Sequence, residues 1–340
     1  MSSIQHYIRK ISDYKNLTEK ESYDLINGIM NGELTHAQTG AILMGLKMKG
    51  ETVEEIKGTA LVMREKARKL KLGDEDNLLD TCGTGGDSSG TFNVSTLSAF
   101  VIAGAGIRVA KHGNRSVSSK CGSADFLEML GAKIDIPPES MAKVFEETGI
   151  CFMFAPIYHP AMKNVMGPRK ELGIRTIFNL VGPLSNPANA KRQLLGVFSG
   201  DLVEKLAYVL KDLGIIKAYV VYGKDGIDEV SLSSETLIAE LNRGKINLFE
   251  FAPEEAGFRR IHLKDICVDS PEESVRVGMS VLSGERSPYR DMVLINSAFG
   301  IMAMDVTVDI KEAIEIAKES IDSGKAKNKL DRFVELTNKV

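Results

Sequence analysis

The 340-residue sequence contains no tryptophan, only four cysteines and no surplus of either charge: 43 Lys+Arg stand against 46 Asp+Glu, a formal net charge of −3. Each shortage closes a class of function. A protein that grips a duplex along its phosphates carries a basic footprint. A sequence pI of about 6.1 shows none, which argues against a dedicated nucleic-acid binder while local basic sites remain open. Cys82, Cys121, Cys151 and Cys267 are widely spaced with no CxxC pair, which fits neither a zinc site nor a disulfide framework and reads as reduced thiols in a cytoplasm. Long apolar runs are missing too. The best of them, Val94 to Ala105, is broken by Ser95, Thr96, Ser98 and Gly104 and is too short to span a bilayer. The first residues, Met1 to Tyr14, are polar where a secretory leader is apolar, which predicts no secretory route.

What is abundant is glycine, at 31 residues, on an ordinary globular background of 43% hydrophobic and 26% charged residues. The length suggests about two domain-sized units. The first begins with a device used three times: Thr18 with Glu21, Thr35 with Gln38 and Thr52 with Glu55 are Thr-x-x-Glu/Gln capping boxes. Gly32, Gly50 and Gly73 stand where helices end, predicting helices near 3–13, 18–31, 35–49 and 52–70. Ile42, Leu43, Leu46 and Met48 give the third helix an apolar face, which serves an internal core or a contact with another subunit.

From Asn77 the pattern changes to short apolar strands alternating with helices. Strands are expected at Leu78-Leu79, Ile107–Ala110, Ile150–Ala155, Leu194–Phe198, Ala218–Tyr222 and Ile246–Ala252. Helices are expected at Asn93–Gly106, Gly122–Gly131, His159–Leu172, Asp201–Leu213 and near 271–284, 288–304 and 309–322, with a loop from Gly182 to Pro187. This is the βαβ rhythm. The predicted fold class is α/β: a small helical bundle over residues 1–72, beside a larger α/β domain, 73–340. The larger domain has a central mixed, mainly parallel sheet flanked by helices.

Two segments carry candidate chemistry. The first runs from Asp80 through Gly83, Gly85, Gly86 and Asp87 to Thr91, Asn93, Val94, Ser95 and Thr96. It joins a strand to a helix, where glycines expose backbone amides and the helix start attracts anions. Glycines alone fit a tight turn equally well, and the segment lacks the Gly-Lys-Ser/Thr of a Walker loop and the last glycine of G-x-G-x-x-G, where Ser88 stands. The second, Lys111, His112, Gly113, Asn114, Arg115, Ser116, Val117, Ser118, Ser119 and on to Ser123, again leaves a strand. Two such loops together suit a substrate with several phosphates, which normally brings magnesium; the acidic pair Asp228-Glu229 is the best-placed oxygen donor. His112 reads either as a general base or as a residue that shapes its loop. Cys82 and Cys121 read as small buried side chains.

In the same order along the chain stand His159-Pro-Ala-Met-Lys163, Arg169 and Leu172-Gly-Ile-Arg-Thr-Ile-Phe-Asn179. With the two loops and Asp228-Glu229, the sequence resembles the anthranilate phosphoribosyltransferase family over essentially its whole length. The resemblance implies transfer of the phosphoribosyl group of 5-phosphoribosyl 1-pyrophosphate to the amine of anthranilate, in tryptophan biosynthesis, with Mg2+ as cofactor. It also implies a homodimer formed through the N-terminal helices and a helical domain in which helices near 160–185 join residues 1–72, while composition predicts a cytoplasmic protein without nucleic-acid or membrane partners. Carried over residue by residue, Gly83, Gly86, Asp87, Thr91, Asn93, Val94, Ser95, Thr96, Lys111 to Ser119 and Ser123 line the phosphoribosyl pyrophosphate site. Ser95, Asp228 and Glu229 are metal ligands; Gly83, Asn114 and Arg169 meet anthranilate; Lys111 and Arg169 are the catalytic pair. Pyrimidine nucleoside phosphorylases share the fold but lack the Lys111–Ser119 pattern, and relatives that bind nucleic acid without transferase activity are disfavoured by the intact loop and acidic pair.

Overall fold

The computed structural model describes residues 3–86, 89–115 and 121–340. Helices α1 (Ser3–Ser12), α2 (Glu19–Asn31), α3 (His36–Lys49) and α4 (Val53–Lys66) come first. Thr18, Thr35 and Thr52 are extended residues whose hydroxyls accept from the amides of Glu21, Gln38 and Glu55, whose side chains return to the cap amides. Each such cap contributes about 1 kcal/mol. α4 stops at Lys66, short of the expected 70. The Arg68 amide donates to the Tyr158 carbonyl at 2.8 Å and the Leu70 amide to that of Pro187 at 3.2 Å, so bonds to distant backbone replace those of another helical turn.

The chain then alternates: β1 (Leu79–Gly83), α5 (Val94–Gly104), β2 (Val109–Gly113), α6 (Ser123–Met129), α7 (Pro138–Thr148) and β3 (Ile150–Phe154). α8 (Ala155–Tyr158) precedes the expected helix over 159–172, which is divided into a 3-10 turn beginning at Pro160 and α9 (Lys163–Leu172); Pro160 lacks the amide that would continue α8. After α10 (Ile177–Val181) come β4 (Arg192–Gly196), α11 (Asp201–Asp212), β5 (Lys217–Gly223), β6 (Thr236–Asn242) and β7 (Lys245–Phe251). Four helices close the chain: α12 (Pro271–Leu282), α13 (Pro288–Ala303), α14 (Ile310–Asp322) and α15 (Lys325–Thr337).

Strand order is β3-β2-β1-β4-β5-β6-β7, parallel from β3 through β5, with β6 and β7 antiparallel. The mixed, mainly parallel sheet is therefore as expected. β6, α7 and α15 were not. β6 includes Ala239 and Glu240, poor strand formers, and forms because every residue pairs with β5 on one side and β7 on the other. α15 is largely charged and buries only Ala326, Leu330, Phe333, Leu336 and Thr337.

Successive strands depart from β1 in both directions, so connections diverge at β1 and β4 and open a crevice at their carboxyl ends, where ligands bind α/β sheets. One apolar core joins a sheet face to α5, α6, α7 and α12–α15. The other joins Leu195, Val220 and Leu241 of the sheet to α10, α11 and the N-terminal helices, which fastens the bundle beside the crevice. Among the described residues no helix is long and apolar enough to cross a membrane.

Candidate active site

β1 and β4 run in register to Gly83 opposite Gly196, at the floor of the crevice. Both positions require glycine because the acidic pair is packed against them. A Cβ on Gly83 would stand 2.5 Å from Asp228 Oδ2, and one on Gly196 would overlap the Asp228 carbonyl oxygen. The Gly85 amide donates to Asp228 Oδ2 at 3.0 Å and the Ser95 amide, in the first turn of α5, to Glu229 Oε1 at 3.1 Å. Buried Asn296 of α13 holds the next residue from both sides, accepting from the Val230 amide at 2.9 Å and donating to its carbonyl at 3.0 Å. Segments far apart in the chain thus meet at one strand end.

Lys111 reaches the same place from β2. Its side chain is 3% exposed; its ammonium donates to the Thr81 carbonyl and, at 3.3 Å, to Ser95 Oγ. Burial pushes its pKa down, opposed by Asp80, Cys82, Glu229 and Asp228. Burial pushes the fully enclosed Asp80 carboxyl up to about 6, against Asn186, Lys111 and the His112 amide that donates to it at 3.1 Å. Asp80 and Lys111 are buried opposite charges that act on each other through space at the crevice.

His112 follows Lys111 on β2 and turns away from it. Its Nδ1 lies 3.2 Å from the Gly182 carbonyl, which makes that nitrogen the protonated one. Its ring lies 5.0 Å from that of His159. Burial depresses both pKa values, to about 4 for His112 and about 3 for His159, so both are neutral at pH 7. Of the two readings of His112, the geometry supports the loop-shaping one. His112 Nε2 and both nitrogens of His159 lack partners among the described residues, leaving hydrogen-bonding capacity beside the loop from Gly182.

The remaining predicted residues divide sharply. Thr91 pairs with Ser89 through hydroxyls 3.2 Å apart. Asn93 donates to the Cys121 carbonyl at 3.1 Å and accepts from Ser274 Oγ at 2.8 Å, tying the two loops together. Val94 and Thr96 are buried, and the Thr96 side chain faces the interior with Phe100 and Phe152, so only their backbone can meet a ligand. Asn114 caps Arg115 through its side chain and accepts from Ser123 Oγ at 3.2 Å. Arg115 is tied to Asp125 and Glu128. Arg169 lies over Phe178, 5.8 Å from the ring centroid, and 3.4 Å from Asn179 Oδ1, its pKa lowered by burial. Gly86 abuts Arg175, while Asp87 and Ser116, Val117, Ser118 and Ser119 lie outside the described residues.

The donor set fits magnesium. Among the described residues no three His, Cys, Asp or Glu side chains gather into a cage. Two carboxylates and a serine hydroxyl at one strand end offer only hard oxygen, the partial shell that magnesium completes with water and substrate.

The chain matches two halves of one family in order: "Glycosyl transferase family, helical bundle domain" over residues 5–67, and "Glycosyl transferase family, a/b domain" over 75–327. It is 56% identical over 340 residues, all of both chains, to the anthranilate phosphoribosyltransferase of Aquifex aeolicus (strain VF5). The chain belongs to the anthranilate phosphoribosyltransferase family. A second family member, from Persephonella marina, is 54% identical over 98% of both chains. The crystal structure of anthranilate phosphoribosyltransferase from Thermus thermophilus superposes with a TM-score of 0.92 at 39% identity, covering 99% of this chain and all of that one. The Saccharomyces cerevisiae enzyme in complex with PRPP and Mg gives 0.91 at 27% identity over 100% and 99% of the two chains.

Against this anthranilate phosphoribosyltransferase fold, three residues stand out that the sequence reading left without a role. Asp80 had a signal, an acid inside the apolar run Leu78 to Cys82. Asn296, an amide in the apolar helix α13, gave a weaker one. Arg175 was quoted only within the motif Leu172 to Asn179, where nothing marked it apart from its neighbours.

Proposed function

We propose that the crevice between β1 and β4 carries out the family reaction, transfer of the phosphoribosyl group of 5-phosphoribosyl 1-pyrophosphate to anthranilate in tryptophan biosynthesis. The observation that carries this reading is the meeting of Lys111, Ser95 and Asp228-Glu229 at one strand end. Anthranilate's aromatic amine is uncharged at neutral pH, and its nitrogen lone pair attacks the anomeric carbon. The bond from that carbon to the diphosphate oxygen breaks, the diphosphate leaves with the electron pair, and the amine releases a proton to water.

The protein's part is positioning and charge. Gly83, Gly86, Asp87, Thr91, Asn93 to Thr96, Lys111 to Ser119 and Ser123 line the phosphoribosyl pyrophosphate site. Lys111, held rigidly at a strand end, opposes the charge that grows on the leaving diphosphate. Gly83, Asn114 and Arg169 meet anthranilate, with Arg169 pairing its carboxylate, a role suited to a planar guanidinium. Ser95, Asp228 and Glu229 would hold magnesium, which when bound would neutralise phosphate oxygens.

The reading places the protein in the cytoplasm, as two units: 1–72 with the helices near 160–185, and 73–340. It makes a homodimer through the N-terminal helices, where Tyr14 and Met48 are 64% and 62% exposed. Incubation with phosphoribosyl pyrophosphate, magnesium and anthranilate is the test: anthranilate fluorescence falls as pyrophosphate appears, and absence of turnover by folded protein overturns the assignment. Light scattering checks the dimer.

A further inference from the structure

Arg175 lies between α9 and α10 yet reaches the glycine loop of the sheet. Its guanidinium lies over the Phe198 ring, 4.3 Å from the centroid, and against Gly86. A Cβ on Gly86 would stand 3.0 Å from Nε, 3.1 Å from Nη2 and 3.2 Å from Cζ. Gly86 itself has φ +80°, so any side chain there is strained as well as crowded. Two separate features, an aromatic shelf and a missing Cβ, therefore define the plane of this guanidinium.

No carboxylate, carbonyl or other acceptor among the described residues hydrogen-bonds or ion-pairs with Arg175. Arg115, the cation in the second loop, already has Asp125 and Glu128. A positioned guanidinium whose donors meet no acceptor among the described residues suits a phosphate oxygen, which accepts from a planar fork.

We infer that Arg175 is a further substrate-binding residue, a clamp from the helical segment onto a phosphate oxygen of the substrate held on the glycine loop. The inference rests on the transferase reading. It also gives the discontinuous helical segment a purpose, since phosphate bound at the loop ties the stretch between α9 and α10 to the sheet.

The experiment compares the wild-type chain with Arg175→Gln, Arg175→Lys and Gly86→Ala, measuring KM for phosphoribosyl pyrophosphate and for anthranilate separately, with thermal unfolding as a check on folding. Arg175→Gln raises KM for phosphoribosyl pyrophosphate by about ten- to a hundredfold and leaves KM for anthranilate within about threefold. Arg175→Lys does not restore it, because an ammonium neither stacks nor forks, and Gly86→Ala, by displacing the guanidinium, gives the same split. Calorimetry with magnesium plus inorganic pyrophosphate, and separately with ribose 5-phosphate, distinguishes the two phosphate sources. Weaker binding of either probe to Arg175→Gln supports the clamp and names the group held. Unchanged binding of both, a rise confined to KM for anthranilate, or full rescue by Arg175→Lys overturns it. Failure of the wild-type chain to consume anthranilate overturns the transferase reading instead, and wild-type turnover with unaltered kinetics in all three variants overturns the clamp alone.

Discussion

The loops that follow β1 and β2 look alike in sequence, each a strand end running through glycine and serine into a helix, yet the fold treats their charges in opposite ways. The first loop contributes backbone and receives its acids from afar: Asp228 lies against Gly83 and Gly85, and Glu229 against Ser95. The second is rich in cations, but Lys111 is sunk into the sheet beside Asp80, while Arg115, four residues on, is held at the surface by Asp125 and Glu128. A charge counted in a motif is therefore not a charge available to a ligand. Its availability depends on what desolvates it and what already pairs with it.

The sharpest way to break the comparison is Lys111→Met. It removes the fixed cation and the donor of the buried Thr81 carbonyl; a buried acceptor left unpaired costs about 1–3 kcal/mol, and kcat falls by about a hundred- to a thousandfold. Adding Asp80→Asn, which removes the carboxylate that Lys111 balances through space, recovers part of the unfolding stability in a urea titration but not kcat. Recovery of both would make Lys111 a structural residue.

Next in size is the first loop's dependence on its distant acids. Asp228→Asn with Glu229→Gln lowers kcat about a hundredfold and flattens the dependence of rate on magnesium. Gly83→Ala, whose Cβ would crowd Asp228 Oδ2, imitates it. A double variant with the wild-type magnesium curve contradicts the metal assignment.

The pH dependence of stability separates the buried groups packed around His112. His112 and His159 have folded pKa values near 4 and 3, below the ordinary 6.5, so the unfolded chain binds more protons as pH falls. Their contribution is present above about pH 6.5 and is lost progressively as pH drops through 4 toward 3. Asp80 works the other way. Its folded value near 6 lies above the ordinary 3.8, so its contribution is present below 3.8 and is lost as pH rises through 6. Urea unfolding between pH 4 and 6.5 therefore shows a shallower acid loss in His112→Asn and a steeper one in Asp80→Asn. With His112 at about 4, kcat shows no limb from this residue between pH 5 and 8.

The smallest effect belongs to Arg115→Ala. Its ion pairs are exposed and contribute about 0–1 kcal/mol, and a guanidinium occupied by two carboxylates leaves KM for phosphoribosyl pyrophosphate within about threefold of wild type. A tenfold rise would mean that substrate draws Arg115 away from Glu128 and would bring the two loops closer in character.

Legibility followed the range of the forces involved. The three capping boxes are bonds between residues three apart, and all three form where the spacing places them. The βαβ rhythm was equally plain because apolar strands alternate with helices over short distances. β6 was hidden because its strand character comes from pairing on both edges. The end of α4 was hidden because Tyr158 and Pro187 accept the next amides. At the site, Lys111 and Asp228-Glu229 could be singled out by residue type and position after strands. The inward turn of Thr96 and the capture of Arg115 could not, since both depend on packing against α6 and the core.

By itself the sequence determined the helix caps, the order of strands and helices along the chain, the absence of a basic field, and the presence of two glycine- and serine-rich strand ends. These are properties of neighbouring residues or of composition. Only the tertiary structure decided that β1 and β4 stand side by side, that Asp80 and Lys111 share one dry site, and that Arg175 lies against Gly86 with no ion-pair partner among the described residues. Desolvation and ion pairing are set by whatever surrounds a group, and here those surroundings come from segments far apart in the chain.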